Sequence, residues 1–374
     1  MTSIKINDAK NANYSNIFNF IYSSKDGVSK QDISRNLQLS LPTINRWLAE
    51  MQADGLVESS GYQEHTGGRH ATKYSVCHRY RAAVGVEIEP EKITAVVVDL
   101  SGTIIVLEKH DLIFERSSTY YQRIGDVVNH IVASSGIPQE KFLGVGIGIP
   151  GLVTKDHSRA LHGKILDLSG WDVQHFKNYI SLPCRMFNDA KAAGFAEIWI
   201  RKNLNNAIYV LLGNHVGGAL ILDGQVNLGE NTNAGEIGHT TIIPNGKLCY
   251  CGQKGCMEAY CASSVLTAHS NGDIDFFFDK LKAKDPVVTK AWDEYIYHLS
   301  SALHNVDMLF NCPIILGGKV GALCEEHISD LRKLISSQNP FSDSSMLIHP
   351  CICKKEAIST GAALSFIDEF VKAI

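Results

Sequence analysis

Apolar residues along the chain recur first at helical spacing and then at strand spacing, and the change divides the sequence. In NIFNFIYSS, Ile17, Phe20 and Ile21 share a helical face. GVSKQDISRNL then offers Ser29 as an N-cap with Asp32 three residues on, followed by apolar Ile33 and Leu37. After the turn around Leu39, Ser40 can cap a third helix whose second position is Pro42, tolerated there because first-turn amides lack an intrahelical partner. Ile44, Leu48 and Met51 form its core face, leaving Thr43, Asn45 and Arg46 at its exposed start. GLVESSGYQEHTGGRHATKYSV predicts two short strands around a glycine-rich tip that carries His65, Arg69 and His70.

From Arg81 the texture becomes β-rich. VGVEIEPEKITAVVVDLSGTIIVLEK turns at Glu89 and Pro90, and FLGVGIGIPGLV, CRMFNDAKAAGFAEIW, AIYVLLGNHVGGALILDG and PIILGGKVG mix buried strands with helices. The final run places Ala363, Phe366, Phe370 and Val371 at helical spacing. This α/β body of roughly 290 residues is large for one core and predicts two lobes. No low-complexity or repeat signal interrupts it.

Composition narrows the class. The chain of 374 residues is 45% hydrophobic and 20% charged, as a soluble globular protein is. Its start, MTSIKINDAKNANY, has no apolar signal core, and no run approaches the ~18 apolar residues that span a bilayer. The expectation is a cytoplasmic protein without membrane insertion. Ten scattered cysteines in a chain with ample core favour reduced thiols and one metal site over a disulfide framework. Residues 1–80 carry nine Lys/Arg against seven Asp/Glu, whereas the remainder carries 26 against 32. Only the N-terminal piece has the sign suited to a polyanion.

The first eighty residues resemble a winged helix-turn-helix DNA-binding domain. In that reading Thr43, Asn45 and Arg46 meet base edges and phosphates, and Arg69 enters a minor groove or touches phosphate. A small helical appendage for protein contacts is the alternative.

The metal candidate is HTTIIPNGKLCYCGQKGCME, where His239, Cys249, Cys251 and Cys256 supply four ligands from one loop. One imidazole and three thiolates make a closed tetrahedral set suited to structural Zn²⁺, with no open position for Lewis-acid catalysis. A reduced cysteine cluster and a redox switch are the other readings. Glu236 lies three residues before His239 and Glu258 two after Cys256, so a bound ion would fix both carboxylates. Preorganised acceptors of this kind suit the hydroxyls of a sugar.

Gly146-Ile147-Gly148-Ile149-Pro150-Gly151, Asn188-Asp189-Ala190, Gly235-Glu236-Ile237-Gly238-His239, the cysteine segment with Gly252, Gly255 and Glu258, and Gly317-Gly318 together resemble the ROK family (Repressor, Open reading frame, Kinase). Members are sugar kinases or sugar-responsive regulators. The resemblance implies an actin-like, ribonuclease-H-like pair of lobes, the first about 81–190 plus a C-terminal helix about 356–374, the second about 191–355. It also implies a sugar site formed by Asn188, Asp189, Glu236, His239 and Glu258.

Kinases of the family carry a first phosphate loop like D-x-G-G-T, where this chain reads Glu87-Ile88-Glu89-Pro90-Glu91. The second, like G-T-G-I-G, reads Gly213-Asn214-His215-Val216-Gly217. Proline removes a donor and three carboxylates oppose a triphosphate, although the base position, Asp189, is filled. The expectation is therefore a repressor with no catalytic residue, binding operator DNA and a sugar or sugar phosphate as a homodimer or homotetramer. A sugar-transport protein is a further candidate partner, and an ATP-dependent sugar kinase with a regulatory N-terminus is the alternative function. Lys191 and Asp167 stand where many relatives carry asparagine, which leaves the sugar open. Trp171 either folds over the cleft or staples a loop, and Cys351-x-Cys353 reads as a partly buried strand.

Overall fold

The computed structural model describes residues 2–62, 71–202, 204–339, 341 and 347–374, with residues 2–11 as backbone only. Its N-terminal unit comprises α1 (Thr2–Ser23), β1 (Val28–Ser29), α2 (Lys30–Leu37), α3 (Leu41–Ala53), β2 (Val57–Tyr62) and β3 (Thr72–Val76). The capping box at Ser29 and Asp32 forms, and Ser40 caps α3 with Pro42 in the first turn. Ile44, Leu48 and Met51 are buried as their spacing requires, joined by Trp47. The three strands pair antiparallel in the order β1-β3-β2. His65, Arg69 and His70, at the expected tip between β2 and β3, lie outside the described residues.

The remainder comprises β4 (Ala82–Ile88), β5 (Lys92–Asp99), β6 (Ile104–Asp111), α4 (Ser118–Ser134), β7 (Phe142–Ile149), β8 (Leu152–Val153), β9 (Ala160–His162), β10 (Cys184–Asn188) and α5 (Asp189–Arg201). There follow β11 (Ala207–Leu212), β12 (Val216–Leu222), β13 (Gln225–Asn227), α6 (Glu258–Cys261), α7 (Ser263–Thr267), α8 (Ile274–Lys282) and α9 (Pro286–Phe310). The chain ends with β14 (Ile314–Gly317), α10 (Gly318–Leu323), α11 (Ile328–Gln338), β15 (Ile348–Pro350) and α12 (Ala357–Ala373).

Two five-stranded mixed sheets organise these elements, β10-β7-β4-β5-β6 and β13-β12-β11-β14-β15. In each, an antiparallel meander of three strands is extended beside its first strand by two parallel ones. The repeated order fits the actin-like pair of lobes, and the two sheets feed separate apolar cores.

α12 returns to the first sheet, and the glycines of β7 explain how closely it can lie. A Cβ on Gly146 would strike the carbonyl of Ala362, one on Gly144 the ring of Phe366, and one on Gly85 of β4 the carbonyl of Ser359. The alternating glycines of FLGVGIGIPG thus admit a helix against the sheet. α1 in turn meets the end of α12, where the Ser15 hydroxyl donates to a backbone oxygen of Ile374, and the end of β5, where the Tyr22 hydroxyl donates to the Leu100 carbonyl at 2.6 Å. Among the described residues no helix is long and apolar enough to cross a membrane. All ten cysteines are free. Trp171 is fully buried among Phe114, Tyr121 and Phe176, with its indole N–H donating to Tyr121, so it staples a loop within the first core.

Candidate sugar pocket and metal clip

The helix start at α5 fixes the first part of the site. The Asn188 side chain caps the helix by accepting from the Lys191 amide at 3.0 Å, while its amide group donates to the Gly151 carbonyl at 3.1 Å and to Asp189 Oδ1 at 3.0 Å. Asp189, in the first turn, accepts from the Ala190 amide at 2.7 Å. Burial, with Glu236 nearby, pushes its carboxyl up to about 6 despite that amide and the opposing charges of His215 and Lys191. Its oxygens are acceptors at a helix N-terminus.

Glu236 and His239 come from a short turn held against β12, and Gly238 lets it sit there because a Cβ would strike the Val216 carbonyl. Lys191 is buried, donating from Nζ to the Thr232 carbonyl at 2.6 Å and reaching Glu236 at 3.3 Å. The lysine that replaces an asparagine thus orients a carboxylate. Asn188, Asp189, Glu236 and His239 all line a cavity of about 360 Å³, together with His162, Lys164, His215 and Tyr250.

Glu258, the fifth residue expected at the sugar site, sits directly behind His215. It is buried, accepts from the Val216 amide at 2.5 Å and pairs with His215 Nδ1 at 2.8 Å, and it does not line the cavity. It acts one layer back, holding the ring of His215. Sequence reasoning missed His162, Lys164, His215 and Tyr250 as walls. For His215 the signal was present, since an imidazole filling a glycine position in a loop facing the cleft must occupy the space it enters.

The four metal candidates converge: one ligand atom from each of His239, Cys249, Cys251 and Cys256 lies within 4.8 Å of all the others. His239 Nδ1 is 3.7 Å from Cys249 Sγ, and Cys251 Sγ is 3.7 Å from Cys256 Sγ. A tetrahedral ion with ~2.3 Å metal–sulfur bonds has edges of about 3.8 Å, so the donor set fits such an ion. Two isolated antiparallel rungs, Thr241 with Cys256 and Leu248 with Lys254, shape the clip. With Nδ1 turned to the thiols, His239 Nε2 faces the pocket and contacts the Tyr250 hydroxyl at 3.2 Å. Lys164 donates to the Cys251 carbonyl at 2.7 Å, tying the clip to the opposite wall.

Between the β4–β5 and β11–β12 turns, carboxylate meets amide. Glu89 pairs with Lys92 at 3.1 Å and accepts from Asn214 at 3.5 Å. Glu87 is half-buried, and its carboxyl is pushed up to about 8 by desolvation, then by Glu89 and Asp189. Its carboxyl thus holds its proton more tightly than an ordinary glutamate does. Gly317 has a packing role, since a Cβ there would meet the Tyr209 hydroxyl.

Of the DNA-facing candidates, Asn45 and Arg46 are exposed on α3, while Thr43 is half-buried and bonded to Ser40. Arg46 lies over the ring of Trp47 at 4.8 Å.

The sequence profile described as ROK family matches residues 83–364. The chain is 24% identical over 364 residues to the xylose repressor of Bacillus spizizenii, covering 93% of each. Among solved structures it is similar to a ROK family transcriptional regulator described as a homolog of the E. coli MLC protein, with a TM-score of 0.76, 21% identity and 98% of each chain covered. A ROK family glucokinase from Streptomyces griseus in complex with glucose and AMPPNP aligns with a TM-score of 0.60 at 24% identity, covering 76% of this chain and 98% of that one.

Proposed function

This chain belongs to the ROK family, and on that premise we propose that it is a sugar-responsive DNA-binding transcriptional regulator, a cytoplasmic repressor of carbohydrate uptake or catabolism genes without kinase activity. One observation carries the reading: an acceptor-lined cavity is intact while the adjoining loops present Glu89 against Asn214 instead of a phosphate cradle. Asn188, Asp189, Glu236 and His239 take the hydroxyls of a sugar or sugar phosphate, and Glu258 acts through His215. Zn²⁺ held by His239, Cys249, Cys251 and Cys256 has a structural role, fixing the imidazole and the neighbouring carboxylate in place.

Residues 1–80 serve as the winged helix-turn-helix. Asn45 and Arg46 meet operator DNA, Thr43 shapes the start of α3, and Arg69 belongs to the wing. Residues 81–374 serve as the bilobal ROK domain. In a homodimer or homotetramer, sugar closing the cleft changes the spacing of two such helices relative to their half-sites. The full chain is expected to retard its own upstream DNA in a gel, with salt-dependent affinity, and the matching sugar is expected to change that retardation. No DNA binding at low salt, or binding indifferent to every sugar in a hexose, pentose and N-acetylhexosamine panel, rejects the reading; the second result with a transport protein releasing the DNA assigns induction to that partner.

The kinase reading has one observation in its favour: Asp189, raised to about 6, suits a general base. Sugar-dependent ADP release from ATP by the purified chain would establish it.

A further inference from the structure

A second cavity of about 360 Å³ lies on the α12 side of the β10–α5 junction, sharing Asn188 with the sugar pocket. Its walls come from both halves of the ROK domain. His157 and Phe187 contribute from the first half, Thr232 from the second, and Ser365 from α12.

Two wall residues have left-handed backbones although neither is glycine: His157 at φ +59° and Thr232 at φ +63°. For a β-branched residue this is a strained conformation, and such strain collects where a surrounding site demands it. His157 Nδ1 donates to the Met186 carbonyl at 2.9 Å, so the neutral ring offers Nε2 as an acceptor. That ring packs 4.4 Å from Phe187, giving the cavity an aromatic face. Thr232 is 5% exposed, and its hydroxyl has no hydrogen-bond partner among the described residues. A buried hydroxyl left unpaired calls for a water or a ligand group.

The charged side chains around the cavity are already matched. Arg185 pairs with Glu369 at 2.6 Å and Lys372 with Asp368 at 2.7 Å, so the walls make no demand for an ionic ligand. Aromatic faces, a waiting acceptor, a waiting hydroxyl and balanced charge suit a neutral ring bearing several hydroxyls, with C–H faces for the rings and O–H groups for the polar atoms.

We propose that this cavity is a second carbohydrate-binding site, distinct from the pocket at Asp189 and coupled to it. The coupling element is Lys191, whose ammonium bridges the Thr232 carbonyl and Glu236. A sugar that moves Thr232 also moves the lysine that orients a carboxylate of the first pocket, so each site alters the affinity of the other.

The test is calorimetric titration of the full chain with D-xylose, D-glucose, N-acetylglucosamine and maltose, using protein whose first pocket is disabled by Asp189→Ala with Glu236→Gln. One equivalent of a panel sugar is expected to bind still. Ser365→Trp, which fills the cavity, and His157→Asn, which tolerates the left-handed backbone but removes the ring, are each expected to weaken that binding about tenfold or more. Circular dichroism checks folding, and the asparagine variant serves if the tryptophan one fails it. No binding to the disabled protein, or binding unchanged in a folded cavity variant, overturns the proposal. In the first case, sugar binding by the unaltered chain leaves the proposed function standing; its absence from the unaltered chain as well removes both.

Discussion

At Glu87, burial overrides formal charge. The residue reads in the sequence as one of three acids opposing a nucleotide, yet desolvation raises its carboxyl from the ordinary 4.5 to about 8. An acid raised on folding binds its proton more tightly folded than unfolded, so its contribution to stability is greatest below pH 4.5 and is lost as pH rises to about 8. Glu87→Gln removes the ionisable group. Thermal melting should show no gain at pH 4 and a gain of about 2–4 °C at pH 8.5; an equal shift at both would mean that titration of Glu87 does not limit stability. The same distinction separates the motif acids. Glu236 was legible as a pocket wall from its place before His239, but Glu258 was not legible as a support, because chain distance says nothing about which amide a carboxylate will meet.

Among the elements, two depend on close backbone approach. The clip from His239 to Cys256 holds its residues by hairpin rungs and, in the proposed function, by Zn²⁺. Cys256→Ser is expected to lower bound zinc from one equivalent to well below half and to weaken sugar binding about tenfold or more, since metal sites of this kind couple ligation to local folding. Elemental analysis with calorimetry checks both, and undiminished zinc in the variant would contradict the ligand set. The second case is β7 against α12. Gly146→Ala drives a methyl group into the Ala362 carbonyl, where backbone on both sides leaves little room to yield. A loss of about 1–3 kcal/mol in denaturant unfolding is expected, against little change for Gly213→Ala, whose added Cβ has no neighbour closer than 3.8 Å. The sequence motif around Gly146 signalled the family, but its use as a seat for a helix more than two hundred residues away was invisible until the helix was in place.

For the whole molecule, α12 occupies a position between sites. It packs on α5, which Asn188 caps and whose first turn carries Asp189, and its far end reaches the junction that follows the N-terminal unit through Phe370, which lies near Tyr80 at 6.2 Å and under the Arg81 guanidinium at 5.6 Å. Ile17 and Ile21 of α1 share one apolar cluster with Ala196 of α5 and Phe366 of α12, so a change in the cleft that shifts α5 has a packed route to α1. Under the proposed function, Phe370→Ala is expected to retain sugar affinity within about threefold while reducing the sugar's effect on DNA binding about fivefold or more. Parallel titrations of sugar and operator measure the two effects. If both decline together, Phe370 supports the fold rather than the coupling.

The sequence by itself determined the helical start, the α/β body, the caps at Ser29 and Ser40 and the cluster of His239 with three cysteines, because each rests on spacing over a few residues. Ser29 with Asp32, Ser40 with Pro42, and Cys249 with Cys251 and Cys256 need little beyond their neighbours to be read. Tertiary structure decided what distant contacts create: the repeated sheet order, the raised carboxyl of Glu87, Lys191 as the partner of Glu236, and His157 facing a cavity with Thr232. Those properties belong to surroundings assembled from separate parts of the chain. Burial, desolvation and the meeting of a donor with an acceptor acquire values only when the chain has folded.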